Sequence, residues 1–526
     1  MGQPALKIQD DLEENKDKQK GITSREKVEN TETEEIVLGV CSPIGSLKIE
    51  VIEELKNTLS YVYGYEVKTI KLSDLIIKHQ FGPSKSLTGK TQKYSDLLHK
   101  INEGNRLREE YTRSILADLA IQEINRDRYE RCNISPSEVK NGNYSEKLKG
   151  NRVCYVIDSL KNLEELYLFR KIYRSIFYSF SIFSSREERI EKLKGNELSH
   201  NEAIELIDKD EFENRQNGQN VRETFIESDF FFRVSSANKE EIKEKIERYL
   251  HLIFNSKVVT PLPHEQAMYI AKSVAGNSSC LSRQVGASIT DEKGEIIAKG
   301  WNDVPKYGGG LYNEGSSIDH RCFLSGVCSN DKEKDQLAKA IADELNRSGL
   351  DLSAKQQNNL ENVIRKSKIK DLLEFSRSVH AEMHAIISGS QISSNRMVNG
   401  KLFCTTYPCH NCARHIIVAG IKEVYYIEPY IKSLCTKLHE DAITEDEKDD
   451  KKVRILIYDG VAPRRFLEFF TKKLERKNSN GDLIKPKLNT LKPKNRLTLQ
   501  ALDVLEHQTT HVLNDLKFFE NNEKEE

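Results

Sequence analysis

Two short segments, 29 residues apart from histidine to first cysteine, constrain this chain more than any other feature. The first is Ser378-Val379-His380-Ala381-Glu382, and the second is Thr406-Tyr407-Pro408-Cys409-His410-Asn411-Cys412. One histidine and two cysteines offer three ligands of the kind zinc prefers. Three protein ligands leave the fourth tetrahedral position open, as a catalytic site requires and a structural site does not. Glu382 is not a ligand in this reading. It stands where a carboxyl can take a proton from the activated water and hand protons on. The apolar run Leu402-Phe403-Cys404-Thr405 reads as a strand between the two segments, and His380 is expected to ligate from the start of the helix before it. Pro408 suits the first position of a helix. Cys409 is therefore expected to start one, where the partial positive charge of the helix end favours thiolate.

Other readings of these residues are weaker. An isolated C-x-x-C also fits a redox pair or a zinc knuckle, and the joined H-x-E segment argues against both. His384 lies four residues after His380, a spacing used by helical zinc proteases. Those need a glutamate directly after the first histidine, and Ala381 stands there instead. His384 is thus expected to be a supporting histidine. His320, Cys322 and Cys328 are candidates for a second, structural zinc, for which no fourth ligand is evident; ordinary thiols are the alternative.

A chain of 526 residues is too long for one core and implies two or three domains. Lys and Arg number 81 against 82 Asp and Glu, a net charge of -1, which argues against a dedicated polyanion binder. No apolar run is long enough to cross a membrane, and the N-terminus lacks a signal-peptide core, so no membrane and a cytoplasmic location are expected. The ten cysteines are then buried thiols or metal ligands, not disulfides.

The pattern divides the chain into a flexible polar tail over 1–34, an α/β domain over 35–261, a second α/β domain over 262–472 and a polar segment over 473–526. In the first domain, strands are expected at Ile36–Val40 and Val153–Ile157. Helices are expected over Leu47–Leu59, Leu163–Tyr178 and Lys239–Phe254, with a polar loop at Asn214–Asn220. The second domain is expected to run helix (264–275), strand (285–290), strand (295–300), a polar insertion (305–377), then helix, strand, helix and two strands. That order suits a three-layer α/β/α sandwich. In the last segment Leu502, Leu505, Val512, Leu513 and Leu516 fall on one face of an amphipathic helix, expected to dock on its own domain.

The opening of the first domain is strand, glycine turn, helix, as in a P-loop NTPase-like parallel-sheet domain. Gly39, Ser42, Gly45, Ser46, Lys48 and, at the end of the second strand, Asp158 are its candidate nucleotide-binding residues, with ATP or GTP and Mg2+ as candidate ligands. The loop departs from the G-x-x-x-x-G-K-[ST] pattern: Val40 stands at the first glycine and Ser46 at the lysine. That departure favours nucleotide sensing over phosphoryl transfer.

The pattern H-x-E … P-C-x-x-C is similar to that of zinc deaminases. Ser282-Arg283-Gln284-Val285-Gly286-Ala287, Gly300-Trp301-Asn302-Asp303-Val304-Pro305 and Glu428-Pro429-Tyr430-Ile431-Lys432-Ser433-Leu434 narrow the resemblance to the deoxycytidylate deaminase family, over about residues 264–470. The whole architecture resembles bacterial anti-phage dCTP deaminases, which join a P-loop kinase-like domain to such a deaminase. The resemblance implies a cytidine-deaminase-like sandwich, Zn2+ on His380, Cys409 and Cys412, and Glu382 as the catalytic proton shuttle. It implies free deoxycytidine nucleotides as substrates, dCTP and also dCMP, and depletion of dCTP during infection. It also implies restraint by a regulatory RNA or release by a phage-derived trigger, and a homo-oligomer. Asn302 matches a deoxyribose contact, and Arg283 is the candidate phosphate contact. A polynucleotide cytosine deaminase, a housekeeping dCMP deaminase supplying dUMP, and a regulatory nucleotide-binding protein with a structural zinc are the alternatives.

Overall fold

The computed structural model describes residues 23–80, 82–142, 144–212, 221–236, 240–350, 352–430 and 433–523. Most of the expected tail and the Asn214–Asn220 loop lie outside them. Among the described residues no helix is long and apolar enough to cross a membrane.

Strand β1 (Ile36–Cys41) is buried along its whole length. Ile36, Leu38 and Val40 enter one core and Val37 the other, because side chains alternate across a strand. A strand buried on both faces is apolar throughout, the mark of a parallel sheet covered by helices. β1 pairs in parallel with β3 (Val153–Asp158) on one side and β4 (Phe177–Phe183) on the other. β2 (Glu66–Lys71) extends the sheet beyond β3, and β5 (Phe230–Arg233) beyond β4. The helices Lys48–Asn57 and Glu241–Phe254 bury their apolar faces in the first core. Ile115–Arg131 and Leu163–Tyr173 bury theirs in the second.

The second sheet has the order β10-β11-β9-β8-β6-β7, comprising β6 (Gly286–Thr290), β7 (Ile296–Trp301), β8 (Lys401–Thr406), β9 (Glu423–Glu428), β10 (Ile443–Thr444) and β11 (Val453–Ile457). β6 is antiparallel to β7 and β8, and the rest is parallel. Gly286 and Gly300 fall on opposite faces, since Gly286 pairs with Trp301. A Cβ on Gly286 would meet the Pro263–Ala275 helix, and one on Gly300 the Ala381–Met397 helix. Helices therefore cover both faces, giving three layers.

The two sheets share material. β12 (Gly460–Val461) follows β11 in the chain and yet pairs antiparallel with β5, covering the edge of the first sheet. Cys41, Val221, Phe225 and Phe231 of the first half lie in one continuous core with Ala267, Ile289 and Tyr458 of the second. Asp229, beside β5, is buried between Arg464 and Arg465.

Three expectations are corrected. The helix from Leu163 ends at Tyr173, and Phe177–Phe183 is strand β4; its aromatic and serine residues alternate between two buried faces. The C-terminal helix, Leu499–Asp515, does not dock on the second domain. Leu502 and Leu513 enter the core of the first, and Arg128 is clamped between Glu35 and Glu506. Ser24–Glu29 form a capped helix, and Thr33 donates its N–H to Leu497, so this stretch of the tail is ordered against the C-terminal segment. The 305–377 insertion carries the helices Ser329–Leu345 and Ala354–Lys366.

Candidate metal centre and its cavity

Two helix openings converge on one point. His380 is the N-cap of the Ala381–Met397 helix, and Cys409 is the N-cap of His410–Val418. The helix thus starts at His410, one residue after the expected Cys409. The Cys409 sulfur accepts the N–H of Cys412 at 3.4 Å. Two helix N-termini place partial positive charge on the cluster, which favours thiolate. His380 is fixed from behind as well: Val379 donates its N–H to the Asp303 carbonyl at 2.9 Å. Pro408 is held by Ser433 Oγ, which donates to its carbonyl at 2.7 Å.

His380 Nδ1 lies 3.3 Å from Cys409 Sγ and 3.3 Å from Cys412 Sγ, and the sulfurs are 3.6 Å apart. Tetrahedral zinc with bonds of about 2.0–2.3 Å sets its ligand atoms roughly 3.3–3.8 Å apart, so this donor set fits zinc in kind and in spacing. Among the described residues no other three His, Cys, Asp or Glu side chains bring ligand atoms so close. His320, Cys322 and Cys328 therefore do not form a second cluster. His384 points elsewhere, with Nδ1 against the Trp301 backbone at 3.1–3.2 Å and its ring edge-on to the indole.

The charge state follows from burial and contact. The hydrogen bond from Cys412 holds the Cys409 thiol down at about 4, aided by His380 against the opposing effect of burial. Burial alone would lower His380, but the Cys409 thiolate and Glu382 outweigh it and raise the imidazole to about 9. Burial pushes the Cys412 thiol well up, and the Cys409 thiolate adds to it. Glu382, two residues beyond His380, is raised chiefly by burial, with His380 opposing. A carboxyl held above its ordinary range is suited to giving and taking protons near neutral pH.

His380, Glu382 and Cys409 line a cavity of about 250 Å³. Asn302 lines it with both ends of its amide engaged: Oδ1 accepts the Val285 N–H at 2.7 Å, and Nδ2 donates to the Arg283 carbonyl at 2.9 Å. Asn302 thus shapes the 283–285 turn. Arg283 lines the cavity with its guanidinium 2.9 Å from Glu428 and over the Tyr430 ring. Sequence reasoning gave no role to Arg377, Glu428 or Asp303, and gave Cys322 and Cys328 only that of candidate ligands for a second zinc. Arg377, Asp303 and both cysteines line the cavity. Arg377 stands three residues before His380, a proximity that could have flagged it.

The candidate nucleotide loop is filled by the protein itself. The Ile44 N–H, inside the turn, is donated to the buried Asp210 carboxylate at 2.7 Å, and Asp210 also pairs with Lys161 at 2.5 Å. Lys48 lies 2.6 Å from Asp158. Gly45 has φ +82 and packs on Arg189, while Ser42 and Ser46 are buried beside it. Gly39 is removed from the loop, since it lies inside β1 against the Phe177 ring.

Residues 262–428 match the family model described as "Cytidine and deoxycytidylate deaminase zinc-binding region". The deoxycytidylate deaminase of Enterobacteria phage T2 is 28% identical over 171 residues, 32% of this chain and 80% of that protein. The deoxycytidylate deaminase of Saccharomyces cerevisiae is 22% identical over 326 residues, 59% of this chain and 82% of that one. ComE operon protein 2 of Bacillus subtilis is 44% identical over 55 residues, 10% of this chain and only 29% of that relative. Among solved structures, the dCMP deaminase from the cyanophage S-TIM5 in complex with dCMP and dUMP is 21% identical, with 38% of this chain and 99% of that one covered and a TM-score of 0.23. Residues 262–428 are thus similar to the zinc-binding region of cytidine and deoxycytidylate deaminases.

Proposed function

We propose that this chain is a zinc-dependent hydrolytic deaminase of free deoxycytidine nucleotides, converting dCTP, and also dCMP, to deoxyuridine nucleotides. One observation carries the reading: His380, Cys409 and Cys412 present a three-donor zinc set with a buried, unligated Glu382 beside it in a cavity of about 250 Å³. The matched family region and the deoxycytidylate deaminases among its relatives support the substrate class.

Zinc, when bound, supplies Lewis-acid activation of the hydrolytic water. The rest falls to the chain. Glu382 takes a proton from that water and passes protons to the pyrimidine ring and the departing amine. Its burial keeps those protons from bulk solvent and holds its carboxyl above the ordinary range. Asn302 holds the turn that carries Arg283, and Arg283 offers its guanidinium to phosphate. On dCTP, this activity would drain a DNA precursor, as expected of a defence enzyme that starves an invading phage.

The test is chromatography of products after incubating the zinc-loaded chain with dCTP, dCMP, CTP, deoxycytidine and a cytosine-containing oligonucleotide, beside Glu382→Ala. Loss of dCTP or dCMP to the uracil nucleotide, abolished in the variant, is expected. Turnover of the oligonucleotide with free nucleotides untouched would overturn the reading.

A further inference from the structure

We infer that Arg377, at the end of the 305–377 insertion, binds the distal phosphates of the substrate and sets a preference for triphosphate over monophosphate. The inference rests on the deaminase reading and adds the group that counts phosphates.

The cavity has two walls of different origin. One is the 279–285 turn, which carries Arg283. The other belongs to the insertion, through Cys322, Cys328, Ser329 and Asn330, and through the chain leading to His380. Arg377 stands on that second wall with its side chain exposed.

The charge of the lining is one-sided. Its acids are Asp303 and Glu382, and both are buried. Asp303 is spent on the Ser279 and Val304 amides, at 2.9 and 2.8 Å, and Glu382 belongs to the metal centre. The exposed part of the cavity thus holds two guanidiniums. Arg283 is already paired with Glu428. Arg377 makes no ion pair among the described residues, and its bond is to the His320 carbonyl at 3.2 Å. A guanidinium with a structural task is ordinarily forked onto a carboxylate; one left on a backbone oxygen at a cavity mouth is available to an anion.

The same wall is rich in donors. Ser329, Ser376 and Ser378 line it. The 17-residue Ser329–Leu345 helix opens there, and its N-cap Cys328 makes no side-chain cap, so its positive end adds to the field of Arg377. A monophosphate next to the sugar is within the compass of Arg283 alone. A triphosphate is long enough to engage both walls, and only it collects the contribution of Arg377.

The test uses the zinc-loaded full chain, wild type beside Arg377→Ala and Arg377→Lys. Steady-state kcat/KM is measured on dCTP, dCMP and deoxycytidine, and binding of dCTP and inorganic tripolyphosphate by calorimetry. The preference for dCTP over dCMP is expected to fall about 10- to 100-fold in Arg377→Ala, carried by KM on dCTP, with partial rescue by lysine and little change on deoxycytidine. Tripolyphosphate affinity should fall in parallel. Equal loss on dCTP and dCMP, or dCTP and tripolyphosphate binding unchanged in Arg377→Ala, would overturn the inference. If the wild type binds dCTP through Arg377 but releases no ammonia, this assignment stands and the deaminase reading falls. Wild type that binds neither probe sinks the assignment itself.

Discussion

The Cβ that Gly300 lacks would sit 2.5 Å from the Ala381 carbonyl oxygen and 2.3 Å from the Ala385 nitrogen. Both are backbone atoms of the helix that opens with His380 and Glu382, so neither can swing aside. The strand and the helix approach as closely as they do because position 300 has no side chain. Gly300→Ala must push the helix away, at a cost of about 1–3 kcal/mol for the overpacking. The same displacement moves His380 and Glu382 against Cys409, and a shift near an ångström costs a catalytic site roughly 100-fold. Zinc titration and thermal melting check this. A variant that melts and binds zinc like the parent would show that the contact does not position the site.

Glu382→Gln keeps the size of the side chain and removes its acid–base function. Its effect should fall on turnover and not on metal. Zinc stoichiometry is expected to stay unchanged while kcat drops about 10²- to 10⁴-fold, read by metal analysis and ammonia release on the same sample. Loss of zinc in this variant would mean that Glu382 helps to hold the metal.

His380 and His384 are one helical turn apart and have different tasks. His380→Ala should abolish stoichiometric zinc, since it removes one of three donors. His384→Ala should retain zinc and melt lower by about 1–2 kcal/mol of stability, because it removes the bond to the Trp301 backbone and the ring contact with its indole. Equal zinc loss in both would assign His384 to the metal.

Asp229 joins the two halves and gives the assembly a defined acid limb. Burial alone would raise its carboxyl; Arg464 and Arg465 outweigh burial and hold it below the ordinary 3.8. A depressed folded-state pKa contributes stability that is present above the unfolded value. It is lost as pH falls through the folded one. Melting temperature should therefore fall more steeply below about pH 4 in wild type than in Asp229→Asn. At neutral pH the variant should already be less stable by about 3 kcal/mol, since the guanidiniums of Arg464, Arg465 and Arg170 lose their buried partner. Parallel acid limbs would remove Asp229 from the account.

The metal cluster was legible because its members are local: two cysteines three apart and a histidine that opens the next helix back. β1 and β3 were legible because a strand buried on both faces is a plain apolar run. What escaped depends on partners far along the chain. Phe177–Phe183 alternates aromatic and serine residues, and only pairing with β1 makes that pattern a strand. The C-terminal helix shows its apolar face in sequence but not its address; that is fixed by Asp503 and Glu506 meeting Asn125 and Arg128, more than 370 residues away. Arg377 was passed over although it stands three residues before His380, because an exposed arginine takes its meaning from the cavity it borders.

Asp210 is the residue whose absence from the sequence reading matters most for the first domain. Its buried carboxylate accepts the Ile44 N–H and pairs with Lys161, which is how an anion would be held by a glycine turn and a lysine. An ATP or GTP phosphate must therefore displace this carboxylate to enter. Asp210→Ala leaves Lys161 unpaired and the turn amide open, so the variant should be destabilised by about 2–3 kcal/mol. It should also gain more from the ligand than the parent does. With Mg2+ and ATP or GTP, the melting temperature of Asp210→Ala is expected to rise by more than that of wild type, because the ligand supplies the negative charge the substitution removed. An equal rise in both would mean that any nucleotide binds away from this loop. No rise in either would leave the turn as a closed structural element, with Asp210 as its permanent occupant.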